Sequence, residues 1–199
     1  MSKSLKSRTD APATLPEGLV YVPDFIGEAE ERQVVDVLGE IDFREVSMHG
    51  VTARRTVRHF GYDYDYTRWT VTPTEPLPAP LRWLQERCAD LADAKPDDLA
   101  QILVSCYPEG AGIGWHRDAP MFGKIVGVSL LSECRMRFQR TTKSGRETAV
   151  VDLAPRSAYV LDGAVRTSWQ HSIPAAKQLR YSITFRTLRN PDKWRHEEP

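Results

Sequence analysis

Arg180-Tyr181-Ser182-Ile183-Thr184-Phe185-Arg186 alternates strictly between polar and apolar side chains, with the tyrosine on the apolar register. A period of two is the signature of a strand. Laid on one, Arg180, Ser182, Thr184 and Arg186 share a face, and Tyr181, Ile183 and Phe185 share the other. The apolar face can meet the core or an opposing sheet. The polar face then lines a cavity with two guanidinium groups pointing into it. A buried arginine needs an anionic partner, and a carboxylate gripped by both prongs of the fork is the natural one. The competing reading is an edge strand whose arginines face solvent or pair with acids of the chain.

Upstream of this stretch the pattern is of short strands. Gln101–Tyr107, Gly114–Asp118, Ile125–Leu131, Arg135–Arg140, Thr148–Leu153 and Ala158–Leu161 are separated by Gly, Pro, Asp and Ser clusters. Such spacing predicts a sandwich or barrel rather than βαβ units. The amino-terminal half is mixed. Leu19–Val22 reads as a strand stopped by Pro23, and residues 27–38 as a helix with acids in its first turn. Residues 41–75 read as strand or extended loop, with the period-two run Phe60-Gly-Tyr-Asp-Tyr-Asp-Tyr66. Prolines 73, 76, 78 and 80 lead into a second helix, about 79–94, with Leu81, Leu84, Cys88 and Leu91 on one face. Residues 1–16 are expected to be a disordered tail, and NPDKWRHEEP a polar one.

The fold class expected is thus mainly β with flanking helices (α+β), as one domain over residues 17–199. The chain has 199 residues, 27 Lys+Arg and 27 Asp+Glu, so no global field draws nucleic acid or an anionic membrane. Cys88, Cys106 and Cys134 form no C-x-x-C pair, which argues against a structural zinc site or a disulfide framework and for a reducing cytoplasm. No apolar run approaches the ~20 residues that span a bilayer, and no secretory signal is evident.

Of the histidines His49, His59, His116, His171 and His196, two stand where a site is plausible. His116-Arg117-Asp118 is an H-x-D in a strand or at its exit, so imidazole and carboxylate can converge on one ion. The third ligand must come from elsewhere, and His171 is the good candidate. Two imidazoles and one carboxylate on one face of a metal are the facial triad of non-haem Fe(II) oxygenases. Three positions remain open: two for a bidentate 2-oxo acid and one for dioxygen. An H-x-D alone is weak, and a hydrogen-bonded, half-buried histidine is the plain reading of His171 alone. The arginine-bearing strand changes that balance.

Together, Tyr107-Pro-Glu-Gly-Ala-Gly-Ile-Gly-Trp-His116-Arg-Asp118, Trp169-Gln-His171-Ser-Ile-Pro and Arg180–Arg186 resemble the AlkB family of 2-oxoglutarate- and Fe(II)-dependent oxygenases. The similarity is close over about 100–190 and loose over 19–95. It implies a double-stranded β-helix (jelly roll) core at about 100–190, and an amino-terminal extension and substrate lid at about 17–95. It implies His116, Asp118 and His171 as Fe(2+) ligands. Arg180 would hold the distal carboxylate of 2-oxoglutarate with help from Tyr107 and Ser182, and Arg186 would brace Asp118 and the cosubstrate near the reacting centre. Ser105 stands where many relatives carry Asn and Ser182 where some do, and either hydroxyl can still donate to a carboxylate. The implied reaction consumes 2-oxoglutarate and O2, releases succinate and carbon dioxide, and hydroxylates a C–H.

The family acts on alkylated DNA and RNA bases, tRNA, proteins and other targets. Arg54, Arg55, Arg58, Tyr62, Tyr64 and Trp69 offer cations and π faces, and Arg135, Arg137, Arg140, Lys143 and Arg146 a second basic stretch. These suit single-stranded nucleic acid with a flipped base. They read equally as core aromatics and solvated charge. The expectation is oxidative demethylation of N-alkylated bases in DNA or RNA. The alternatives are the same chemistry on a protein or small molecule, and a non-catalytic binding domain. No obligate protein partner is evident.

Overall fold

The computed structural model describes residues 15–48, 51–65 and 70–190. Most of the expected amino-terminal tail, the carboxy-terminal tail, His49, Tyr66, Trp69 and His196 lie outside the described residues.

The chain enters through β1 (Leu19–Val22) and α1 (Glu28–Gly39), then β2 (Arg44–Met48), β3 (Val51–Phe60), β4 (Tyr62–Asp65) and β5 (Thr70–Pro73). A 3-10 turn at Ala79–Leu81 opens α2 (Arg82–Leu91). The remaining elements are β6 (Gln101–Tyr107), β7 (Ile113–His116), β8 (Phe122–Leu130), β9 (Cys134–Thr142), β10 (Gly145–Leu153), β11 (Ala158–Leu161), α3 (Gly163–Thr167), β12 (Gln170–Ile173) and β13 (Arg180–Leu188). Residues 41–75, read as strand or extended loop, are largely strands. The reading missed α3 and β12 because each is one short turn or strand, below the length at which periodicity shows.

A seven-stranded sheet runs β1-β11-β8-β13-β6-β3-β2, and a four-stranded sheet runs β10-β9-β12-β7. Every described pairing between these strands is antiparallel. The two sheets face each other as a jelly roll, mainly β with helices outside. β13 lies between β6 and β8, the centre of the larger sheet, and its alternation assigns the layers. Ile183 and Phe185 are fully buried and pack with Leu38, Leu81, Leu84 and Cys88 of the helical layer. Arg180, Ser182 and Arg186 are just as deeply buried on the opposite face, toward the four-stranded sheet. The edge-strand reading of these arginines is therefore excluded.

The space between the sheets is closed at one end by Met136, Phe138, Leu153 and Leu161, with Tyr159 and Tyr107 at its polar boundary. Gly127 on β8 pairs with Tyr159 on β11. A Cβ at Gly127 would lie 2.1 Å from the Tyr159 ring, so only glycine lets that ring lie flat across the sheet. Gly127→Ala is expected to lower stability by about 1–3 kcal/mol through overpacking, read by denaturant unfolding. Tyr159→Phe in the same background should not rescue it, because the clash is with ring carbons as well as the hydroxyl.

Candidate metal and cosubstrate site

Two of the three metal-ligand candidates are set by strand register. β12 and β7 are antiparallel neighbours, and His171 stands directly opposite His116. Their ring centres are 4.2 Å apart. β7 ends at His116, so the H-x-D lies at the strand's exit, with Asp118 in the loop beyond. That loop is gripped by Arg166 of α3, which donates to the backbone carbonyls of Asp118 (3.2 Å), Ala119 (2.6 Å) and Phe122 (3.0 Å). Arg166 escaped the sequence reading. It sits 48 residues from Asp118 in an element too short to announce itself.

The ligand atoms of His116, Asp118 and His171 lie within 4.8 Å of one another. Each donor is oriented. Nδ1 of His116 lies 2.9 Å from the Gly114 carbonyl, a contact that keeps the proton on Nδ1 and leaves Nε2 as a lone-pair donor. Arg186 Nη2 donates to Asp118 Oδ1 at 2.9 Å, and Oδ2 faces His171 Nε2 at 3.6 Å. Arg186 Nη1 is fixed in turn by Gln101 Oε1 at 3.0 Å.

Burial alone would raise the Asp118 carboxyl, but Arg186, His171, His116 and Arg166 together outweigh it and hold it far below the usual carboxylate range. Burial pushes His171 down to about 4, against the pull of Asp118. A carboxylate kept charged beside the His171 imidazole kept neutral is the donor state a divalent cation requires.

Arg180 completes the site. It is 0% exposed, and its Nε donates to Ser129 Oγ at 3.1 Å. Nη1 and Nη2 have no hydrogen-bond partner among the described residues. Its guanidinium carbon lies 5.1 Å from the centre of the Tyr107 ring, its direct neighbour across the β13–β6 pair. A buried cation with both outer nitrogens free calls for an anion with two acceptors. The 2-oxo dicarboxylate fits on that ground. Ser182 lies between Ser105 and Ser129 in register, so a row of hydroxyls crosses the floor between the two arginines. The buried phenol of Tyr159, pushed up from its ordinary value by that burial, is a lining residue the sequence did not single out.

A cavity of about 370 Å3 opens beside Asp118, bordered by Tyr64, Arg117, Ala119, Pro120, Arg166, Thr167 and Arg189. A larger hollow, about 850 Å3, lies outside the large sheet beside α2 and contains none of the ligand candidates. The rest of the basic residues divide. Arg58 pairs with Glu75, Arg135 with Asp152 and Arg140 with Glu147, so these do not form the free basic track that their spacing suggests. Arg137 instead donates to Ser172 Oγ and lies over the exposed ring of Trp115. Tyr64 is buried edge-on against Phe122.

A model of the 2OG-Fe(II) oxygenase superfamily matches residues 18–186. The chain belongs to that superfamily. Its AlkB-like character follows from its relatives. It is 32% identical, over 83% of its own length, to the tRNA (carboxymethyluridine(34)-5-O)-methyltransferase ALKBH8 of Macaca fascicularis. It is 30% identical, over 92% of its length, to the Alkylated DNA repair protein ALKBH8 homolog of Arabidopsis thaliana. It spans 26% of the former protein's length and 62% of the latter's. The solved structure of OsALKBH1 superposes with a TM-score of 0.66 at 14% identity, covering 87% of this chain and 98% of that one, and establishes likeness of fold. This AlkB-like oxygenase is a dioxygenase that uses Fe(2+), 2-oxoglutarate and O2. No helix among the described residues is long and apolar enough to cross a membrane.

The buried imidazole has a measurable consequence in protein stripped of metal. The folded pKa of His171 lies below its ordinary 6.5. Below that pH the unfolded chain takes up a proton that the fold refuses, so stability falls as pH drops toward the folded value. Asp118, paired in the fold, adds a further loss only at still lower pH. Thermal and denaturant unfolding should show a loss on the order of 2 kcal/mol from pH 6.5 to about 5. His171→Gln should flatten that slope, and an equal slope in the variant would exclude His171 as its source.

Proposed function

We propose that this oxygenase is an oxidative demethylase of N-alkylated bases in RNA or DNA, acting on single-stranded or locally opened strands. In this reading His116, Asp118 and His171 hold the iron, and Arg180 with Tyr107 and Ser182 holds 2-oxoglutarate. The observation that carries it is the cavity of about 370 Å3 beside Asp118, whose border combines the Tyr64 ring with Arg117, Arg166 and Arg189. Its size falls within the range of small-molecule sites. The exposed cation Arg117 at its mouth, beside a wall of buried side chains, suits a base withdrawn from its stack with its phosphate outside. The relatives named for tRNA and for alkylated DNA support the same substrate class.

Iron and 2-oxoglutarate, when bound, would let O2 oxidise the 2-oxo acid to succinate and carbon dioxide and a substrate C–H to C–OH. The chain's own residues do the placing. Arg186 occupies one oxygen of Asp118 and turns the other toward His171. Arg166 fixes the loop that carries Asp118 and forms the cavity wall. The buried rings of Phe138, 6.2 Å from the His171 ring, and Phe122, beneath Arg186, back the ligand set with apolar surface. When that carbon is an N-methyl group, the hydroxymethyl product loses formaldehyde and leaves a free N–H.

A second reading, the same chemistry on a protein or small molecule, is favoured by the acid pairing of Arg58, Arg135 and Arg140. Methylated oligonucleotides, methylated tRNA and methylated peptides, each incubated with iron, ascorbate and 2-oxoglutarate and read by mass, separate the two. The expected outcome is demethylation of the nucleic acid and no change in the peptide, with Asp118→Ala inactive and depleted of iron. For single strands each phosphate contact contributes about −0.7 to the slope of log affinity on log salt, so Arg137→Glu should flatten that slope. Peptide turnover with salt-insensitive, lesion-independent oligonucleotide binding would transfer the assignment to the second reading.

A further inference from the structure

β3 joins the core beside β6, with Val57 opposite Ser105. Arg55, two residues earlier on the same face, therefore points between the sheets, not out with Arg58. Its Nη1 donates to Ser105 Oγ at 3.1 Å, and Ser105 is only 4% exposed. The Arg55 guanidinium carbon lies 5.9 Å from the centre of the Tyr107 ring. The guanidinium carbon of Arg180 lies 5.1 Å from that same centre. Two cations thus share one aromatic ring. Neither Arg55 nor Arg180 meets a carboxylate among the described residues.

We propose that Arg55 is a second cation of the cosubstrate pocket, and that it selects 2-oxo acids bearing a distal carboxylate. The inference rests on the reading that Arg180 receives that carboxylate. A single guanidinium suffices to hold one carboxylate, as its fork is two-pronged. A second, half-buried beside it, raises the cost of leaving the pocket without an anion. A monocarboxylic 2-oxo acid of the same length would leave both cations without an anionic partner, so the pair acts against the wrong acid as well as for the right one. Ser105 is the positioning residue. Its oxygen accepts from Arg55, which leaves its own hydroxyl hydrogen free for the carboxylate. Ser182 and Ser129 beside it are equally small and leave the space for Arg55 to reach in.

The test is calorimetric titration of the iron-loaded protein, kept anaerobic and without nucleic acid, with 2-oxoglutarate and with 2-oxopentanoate. Arg55→Gln should weaken 2-oxoglutarate about tenfold and 2-oxopentanoate by less than about twofold, so that discrimination collapses. Arg55→Lys should recover part of the ratio, and Ser105→Ala should lose part of it. A merely structural role for Arg55 would weaken both acids alike. Equal weakening of the two acids, or no change in either, overturns the proposal. Arg180→Ala in the same titration tests the reading beneath it. Unchanged 2-oxoglutarate affinity there would remove Arg180 itself, whereas a loss with Arg180→Ala but none with Arg55→Gln would remove Arg55 alone.

Discussion

A guanidinium withdrawn from water must meet negative charge or a full set of acceptors, and β13 withdraws two of them. Arg186 meets Asp118 inside the chain, at 2.9 Å, where both side chains are nearly inaccessible. Arg180, at 0% exposure, keeps two nitrogens without a hydrogen-bond partner among the described residues. Much of the architecture follows from accommodating these charges. The central place of β13 in the larger sheet puts them between the layers, and the helices on the far side take up its apolar face. The pair at Arg186 fixes the carboxylate that a metal needs, while the unmatched charge at Arg180 leaves the pocket prepared for a ligand. In the proposed reading, folding stability and cosubstrate binding draw on the same strand, one through a satisfied pair and the other through an unsatisfied one.

How far this could be read from the sequence depended on whether a feature was local. The alternation Arg180–Arg186 and the pair His116 and Asp118 are short-range patterns, and both faces of β13 fall where the period of two puts them. His171 was identified without its strand, because the four residues of β12 carry no alternation of their own. What sets its distance to His116 is register with β7, a property of pairing across more than fifty residues. Arg166 belongs to the same class. Its role lies in three carbonyls of a distant loop, and nothing in its neighbourhood in sequence foretells them.

The basic stretch after residue 134 shows the converse. Arg135 and Arg140 look like a track for phosphates when β9 is read alone. β10 returns antiparallel against it and sets Asp152 opposite Arg135 and Glu147 opposite Arg140. Two strands joined by a short loop are neighbours by default, so the cancellation could have been anticipated by folding the hairpin on paper. Arg137 differs because its partner on β10 is Val150, and it turns instead toward Ser172 and Trp115.

The grip of Arg166 on the loop after β7 bears on entropy. Three carbonyls held by one buried side chain leave the Asp118 backbone little freedom to lose. His116 and His171 are held in register by their strands. A cation entering such a site orders almost nothing, so the conformational cost that flexible chelators meet on binding has already been met during folding. The complement is that the loop cannot relax when the site changes its ligand, and recognition there must proceed by selecting what fits a nearly fixed frame.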